Sequence, residues 1–324
     1  MRLTGAVFFV TEASSPWVLE IPDGATLAPA ILPGAELVLS YHVVIHGSGW
    51  GGLPGGDPVR LEAGDVLVFP HGDAYVMSIA RGMRGGPDRT EILAFLRQMA
   101  AGQLPFTVKE GGGAERLDIV CGFLGCDARP FNPLLEALPS LLHVRHAFGS
   151  ASHPLGKLIE LAVAESRESR AGGECVRLSL SELMFVEVVR EHLAMLPAKR
   201  TGWLLGLRDP LVGRALALLH ERPARPWTLP RLAKEVGSSR STLADRFTRF
   251  VGRSPMRYLG DWRMQLAARL LADGTAKLSA VASDVGYDSE AAFSRAFKKT
   301  VGTPPATWRA RTRARASRHR GRVK

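Results

Sequence analysis

Arg240, Ser241, Ala244 and Asp245, flanked by Arg246 and Arg249, are matched fifty residues later by Glu290, Ala291, Ser294 and Arg295, with Ser289 just ahead of them and Lys298 and Lys299 on the flank. These residue types suit the edges of base pairs. A guanidinium donates twice to guanine, a carboxylate accepts from cytosine N4, a hydroxyl serves either, and a small apolar side chain meets a thymine methyl. The flanking arginines and lysines suit phosphate oxygens, which fix register without carrying sequence. Such chemistry needs two rigid elements that present these side chains on one side.

The sequence around them supplies two such elements, written as an internal repeat. Leu232 to Phe247, followed by Val251-Gly252 and Pro255, recurs as Val281 to Phe297, followed by Val301-Gly302 and Pro305. Ala233 and Gly237 return 49 residues later, as Ala282 and Gly286. Leu243, Phe247, Val251, Gly252 and Pro255 return 50 residues later. The slip of one falls just after the glycine, where a turn absorbs an extra residue. Each copy reads as a short helix ending at a glycine free to take positive φ. Serine or aspartate then caps a second helix. That second helix has apolar residues at i, i+4 and i+8: Leu243, Phe247, Val251 and Phe293, Phe297, Val301. Helix, glycine turn and amphipathic helix make a helix-turn-helix, whose second helix enters a major groove. A joining helix is expected from Ser254-Pro255 to Asp273-Gly274, roughly 30 Å long at 1.5 Å per residue. That is close to one turn of B-DNA, about 34 Å.

Residues 209–312 resemble the DNA-binding domain of AraC/XylS-type bacterial transcription regulators. The resemblance rests on Asp284 to Tyr287, Phe293 to Lys299, Gly302 to Pro305, Trp308-Arg309, and the run from Trp262 to Leu271. It implies that Arg240, Ser241 and Asp245 read one groove segment, and that Glu290, Ser294 and Arg295 read the other. Arg246, Arg249, Lys298 and Lys299 would hold phosphates. Family members commonly carry a basic residue at the position of Asp245, a departure that bears on site preference in the first half. With Asp245 in one copy and Arg295 in the other, the two halves are expected to read different bases.

Charge is distributed to match. Residues 1–200 carry 17 cationic and 22 anionic side chains, a net −5, whereas 201–308 sum to +8 and 309–324 to a further +8. An acidic front and a basic back point to nucleic acid at the back only. Three cysteines are too few for a disulfide scaffold, and no stretch approaches the apolar length of a membrane span. The chain is expected in the cytoplasm.

Residues 1 to about 125 read as short strands separated by glycine and proline, the pattern of a β-sandwich or jelly-roll barrel. Ala63 to Gly72 resembles the second motif of a cupin, and Tyr41 to Gly47 would be the region of the first. With Cys121-Gly122 and Asn132 to Pro139, the front is similar to the cupin-like sensor domain of many such regulators. A small-molecule pocket at the barrel mouth would be lined by His42, Trp50, His71 and Tyr75. Metal is not expected, nor any other cofactor. The usual His-x-His pair is broken by Val44, and His42 and His46 lie about 13 Å apart along a strand. Cys121 and Cys126 form a C-x4-C pair open to two readings, buried structural thiols or a local redox switch.

From Asn132 the pattern turns helical, through Leu142, then over 154–170 and 180–196. These helices are expected to cover the barrel and to pair two subunits. The chain is thus expected to be an α+β protein of two domains. Residues 1–196 form a cupin-like sensor and dimerisation domain, with the barrel to about 125 and helices over about 131–196. Residues 207–312 form an all-α domain of two helix-turn-helix motifs joined by a long helix, and 313–324 a disordered basic tail. The function implied is a sequence-specific DNA-binding transcription regulator, not an enzyme, with duplex DNA, RNA polymerase, a small effector and a second copy as partners; whether it activates or represses stays open. The competing reading is a metal-dependent cupin enzyme fused to a DNA-binding module.

Overall fold

The computed structural model describes residues 3–126, 130–145, 154–167, 171–197 and 202–320, and the chain divides into two compact units. The linker expected over 196–201 and the loop over 149–153 fall largely outside the described residues.

The first unit is a curled nine-stranded sheet, a cupin-like half-barrel. Strand β1 (Leu3–Ser14) is followed by β2 (Val18–Ile21), helix α1 (Gly24–Ile31) and β3 (Leu37–Gly52). Then come β4 (Val59–Glu62), β5 (Val66–Phe69), β6 (Tyr75–Ser78), helix α2 (Arg89–Ala100), β7 (Thr107–Glu110) and β8 (Arg116–Cys126). β8 lies antiparallel between β1 and β3, and β7 runs parallel to β1 on its other edge. β3 serves two neighbourhoods: residues 40–43 pair with β5, whereas Trp50 to Gly52 pair with β6. Alternation then sorts side chains to two faces. Phe9, Val38, Val44, Phe69, Tyr75, Met77, Ile119 and Phe123 share a core with Leu27 and Ile31 of α1 and Ile92 and Leu96 of α2. Tyr41, Val43, Val66, Val68 and Leu124 meet Leu155, Met184, Phe185 and Val188 of the covering helices α4 (Pro154–Arg167) and α5 (Gly173–Met195).

Several elements depart from the sequence reading. Helices α1 and α2 stand where only strands and turns were expected. Asp23 caps α1 through Thr26 N, and Asp88 with Glu91 forms a reciprocal capping box on α2. β3 continues six residues past the expected end at His46, because its glycines are sites of close packing rather than breaks. A Cβ on Gly51 would sit 2.6 Å from Leu67 Cδ2 and 2.7 Å from Met77 Sδ. The leucine run near 134–142 is not one helix. It is a five-residue helix, α3 (Pro133–Ala137), then a strand, β9 (Leu142–Val144), paired with β5.

The second unit comprises α6 (Trp203–Arg208), α7 (Pro210–Glu221), α8 (Leu229–Glu235), α9 (Arg240–Val251), α10 (Pro255–Asp273), α11 (Leu278–Asp284), α12 (Glu290–Val301) and α13 (Pro305–Arg320). It holds two separate apolar cores. The first gathers Val212, Leu216 and Leu219 of α7, Leu232 of α8, Leu243 and Phe247 of α9, and Tyr258 and Leu259 of α10. The second gathers Met264, Ala268 and Leu271 of α10, Val281 of α11, and Phe293 and Phe297 of α12, with Trp308 packed against it. α10 is therefore common to both, giving its first turns to one core and its last to the other. α13 runs to Arg320, beyond the boundary expected at 312, and Arg309 and Arg313 donate to the carbonyls of Ala276 and Gly274. Residues 130–137, placed with the sensor by the sequence reading, group instead with this second unit.

Candidate nucleic-acid interface

α9 and α12 are built alike. Ser239 accepts from Thr242 N at 3.1 Å and Ser289 from Ala292 N at 3.2 Å, so each helix starts from a serine N-cap. Each follows a glycine turn, Gly237 at φ 71° and Gly286 at φ 82°, and each ends on a left-handed glycine, Gly252 or Gly302. The shared caps fix a residue-by-residue correspondence: Ser241 with Ala291, Ala244 with Ser294, Asp245 with Arg295, Arg249 with Lys299. The buried stripe, Leu243 with Phe247 and Phe293 with Phe297, faces each core. Arg240, Ser241, Asp245, Arg246, Arg249, Ser289, Glu290, Arg295, Lys298 and Lys299 are exposed, and Ala244 and Ser294 are half-buried.

Three predicted residues have further duties. Ser289 is the cap of α12. Ser241 Oγ lies 3.1 Å from the capping hydroxyl of Ser239. Arg246 makes a forked ion pair with Asp209, Nη2 at 2.7 Å and Nε at 2.8 Å. The Asp209 carboxylate is buried and also caps α7 through Leu211 N and Val212 N. Arg246 thereby fastens α9 to α7, and half its side chain remains exposed above that pair. Arg240, Arg249, Arg295, Lys298 and Lys299 enter no ion pair among the described residues and present full charges to solvent. At both helix starts the first backbone N–H groups add partial positive charge suited to phosphate.

The sequence reading missed the joint between the two halves. Arg263, in the middle of α10, donates through Nε to Pro223 O at 2.8 Å and through Nη2 to Arg225 O at 3.0 Å. Its guanidinium also lies 5.8 Å from the centroid of Tyr287. Burial lowers its pKa from the ordinary arginine value. Gly286 closes the joint from the other side: a Cβ there would meet Ala224 O at 2.7 Å. The loop ahead of α8 and the turn ahead of α12 are thus clamped on one arginine. The spacing pattern carried no signal for this, because Arg263 meets partners about 40 residues away. A cleft of about 540 Å³, lined by Trp227, Thr228, Arg263, Tyr287, Asp288 and Ser289 among others, opens beside it.

In the first unit the four residues expected around an effector are not brought together as one pocket. His42 and Tyr75 meet, with Nε2 and the phenol oxygen 2.7 Å apart, and Tyr75 stacks on Phe69 at 4.0 Å between centroids. All three are buried, so the interior there is filled. Trp50 lies eight residues farther along β3, about 26 Å of extended chain, on an open cleft of about 260 Å³ under Arg81. His71 is exposed. Cys121 and Cys126 are buried on one strand, five residues and about 16 Å apart, and face opposite sides. A disulfide needs Cα atoms within about 7 Å, so intact β8 rules out the local switch.

Burial drives the His42 pKa from 6.5 down to about 3. The folded state then holds His42 neutral while the unfolded chain protonates below 6.5, so unfolding takes up a proton between those values. Stability from this group is complete above pH 6.5 and is lost as pH falls toward 3. The melting temperature of wild type is expected to fall more steeply with acidification across this window than that of His42→Gln. Calorimetry against pH reads the two slopes, and parallel slopes would show that His42 does not carry the effect.

Two family profiles match the chain, one described as cupin over residues 1–194 and one described as a helix-turn-helix domain over residues 232–311. A Streptomyces antibioticus protein described as an AraC-like transcription regulator is 41% identical over 286 residues, 86% of this chain and 89% of its own length. A Streptomyces lividans protein of the same description is 35% identical over 254 residues, 76% of this chain and 80% of its own. The HTH-type transcriptional regulator AlkR of Acinetobacter baylyi is 29% identical over 277 residues, 85% of this chain and 89% of its own.

Proposed function

We propose that this chain, which belongs to the AraC-like transcription regulators, reads a single operator through two unlike recognition helices and answers to a signal taken up by its cupin domain. The observation that carries the reading is the equivalence of α9 and α12, identical in capping yet carrying Asp245 and Arg295 at the same turn. Arg295 suits a guanine edge, whereas Asp245 suits a cytosine amine and repels phosphate. α10, with 19 residues and a length of about 28 Å, sets the two helices at a separation suited to neighbouring major-groove segments. Arg249, Lys298 and Lys299 hold the backbone, and Arg246 does so while tied to Asp209.

The role is regulatory rather than enzymatic, which agrees with the descriptions of the relatives and with a sheet interior packed by His42, Phe69 and Tyr75. The work is done on chromosomal DNA, hence in the cytoplasm. No helix among the described residues is long and apolar enough to cross a membrane. A second copy of the chain is part of the same reading, supported by the exposed Leu161 of α4 and Leu183 of α5. RNA polymerase and a small effector follow from the regulatory role.

Selection of bound duplexes from a random pool at physiological salt tests this. Two conserved blocks, centred about one turn of B-DNA apart, are expected. Arg295→Ala should cost about 1–3 kcal/mol and relax one block only. Binding that collapses as salt rises without any preferred sequence would sink the reading.

A further inference from the structure

Residues 130–137 are inserted between β8 and β9, two strands of the first unit, yet they complete the core of the first helix-turn-helix. Phe131 is 4% exposed and belongs to the core of α7, α8 and α9. Its ring meets Tyr258 edge-on at 5.6 Å, and Tyr258 meets Phe247 of α9 in the same way at 5.7 Å. Phe131 N donates to the buried Oε1 of Gln265 at 2.9 Å. Arg253, one residue past the glycine that ends α9, sits 4.7 Å over the Phe131 ring. It bonds Glu136 at 2.9 Å and Asp261 at 2.8 Å. Asn132 accepts from Leu135 N at 3.3 Å and so closes the short turn of α3. An aromatic anchor, a backbone hydrogen bond and a shared arginine hold these eight residues to α10 and to the turn that joins it to α9.

We propose that this segment is a strap through which the state of the sheet is read by the first recognition helix and not by the second. The proposal rests on the DNA-reading role assigned to α9. Docking of the strap is an intramolecular binding event, and its strength depends on how closely its two ends are held. Only fifteen residues separate Cys126 from Leu142, and both of those are hydrogen-bonded into the sheet. Whatever orders or loosens the sheet there raises or lowers the local concentration of the strap. With the strap docked, Phe131 and Tyr258 support the inner face of α9. With it withdrawn, a gap opens beside Tyr258, Arg253 loses one of its two carboxylates, and α9 is less firmly set. The second core, around Phe297, makes no use of the strap. By reciprocity, an operator that holds α9 firmly also favours the ordered sheet.

Hydrogen exchange on the full chain without DNA tests the coupling. Phe131→Ala is expected to speed exchange in α9 and the first half of α10 on the order of tenfold or more, leaving α12 unchanged. Phe9→Ala, which loosens the sheet core, should speed exchange in α9 as well. That effect should vanish when ten-residue Gly/Ser insertions after Asp127 and after Pro139 lengthen both tethers. Unchanged α9 exchange in either substitution would overturn the proposal, as would a Phe9→Ala effect that survives the insertions. With DNA, Phe131→Ala should weaken discrimination in the block read by α9 several-fold and leave the other block intact. Equal loss in both blocks would overturn it too. A wild-type chain without any sequence preference would sink the DNA reading instead, while the exchange results would still decide the strap.

Discussion

Phe297→Ala is expected to unfold half of the DNA-binding unit and leave the other half standing. Phe297 is fully buried, 5.6 Å from Phe293 and 6.2 Å from Trp308 between ring centroids. Truncation of a buried phenylalanine costs about 3–5 kcal/mol, the lost transfer energy plus the cavity left behind. The second core is small, with Met264, Leu271, Val281, Val285 and Phe293 as its other large members. A loss of that size is comparable with everything such a core supplies. Phe247→Ala should do the same to the first core. Because the two clusters share no side chain outside α10, and the halves otherwise meet only at the Arg263 clamp, each substitution should abolish protection and base preference chiefly in its own half. Exchange mass spectrometry and footprinting would follow the two halves separately. Simultaneous loss of both in either variant would show that the halves fold as one.

Gly286→Ala is expected to be far more damaging than Gly302→Ala, although both glycines stand at φ 82°. A left-handed conformation costs an alanine about 1–2 kcal/mol at either position. At Gly302 nothing lies within 4 Å of the added methyl. At Gly286 the methyl meets Ala224 O at 2.7 Å, Ala224 Cα at 2.8 Å and Arg263 Nη2 at 2.8 Å. Overpacking adds about 1–3 kcal/mol, and the backbone on either side must move to accept it. The movement separates the loop ahead of α8 from the turn ahead of α12. Affinity for an operator with both blocks should therefore fall toward that for a single block. Denaturant melts of the two variants, with titrations on whole and half operators, would measure this. Equal effects at the two glycines would show that the joint has slack.

The repeat was readable because its landmarks are local. Glycine turns, serine caps and the i, i+4, i+8 stripe each lie within one short segment, so position alone fixes their roles. The same locality explains the outward placement of Arg240, Asp245, Glu290 and Arg295. What was missed depends on distant partners. Arg246 looks like a phosphate contact until Asp209, 37 residues earlier, is seen beneath it. Residues 130–137 carry no mark of their attachment to Arg253, Tyr258 and Gln265. In the first unit, Gly47 to Gly52 was misjudged because glycine signals a turn and a tight approach alike, and only Leu67 and Met77 tell which. α2 was legible in principle, since Asp88 and Glu91 have the spacing of a capping box, but proline and glycine ahead of it hid the signal. His42 and Tyr75, expected as pocket-lining residues, are instead buried against each other. Their hydrogen bond fills the interior where a pocket was expected.

The clamp around Arg263 has a consequence for promoters. With Gly286 packed against Ala224 and Arg263 bonded to two carbonyls of the same loop, α9 and α12 have little freedom to rotate about α10. Each base pair added between the two blocks turns one by about 35° relative to the other, and a stiff reader cannot follow. The spacer between the blocks should then be fixed in helical phase, so that one inserted base pair is as harmful as a mutated block. Operators for this chain would be recognised in a genome by an invariant interval as much as by their letters.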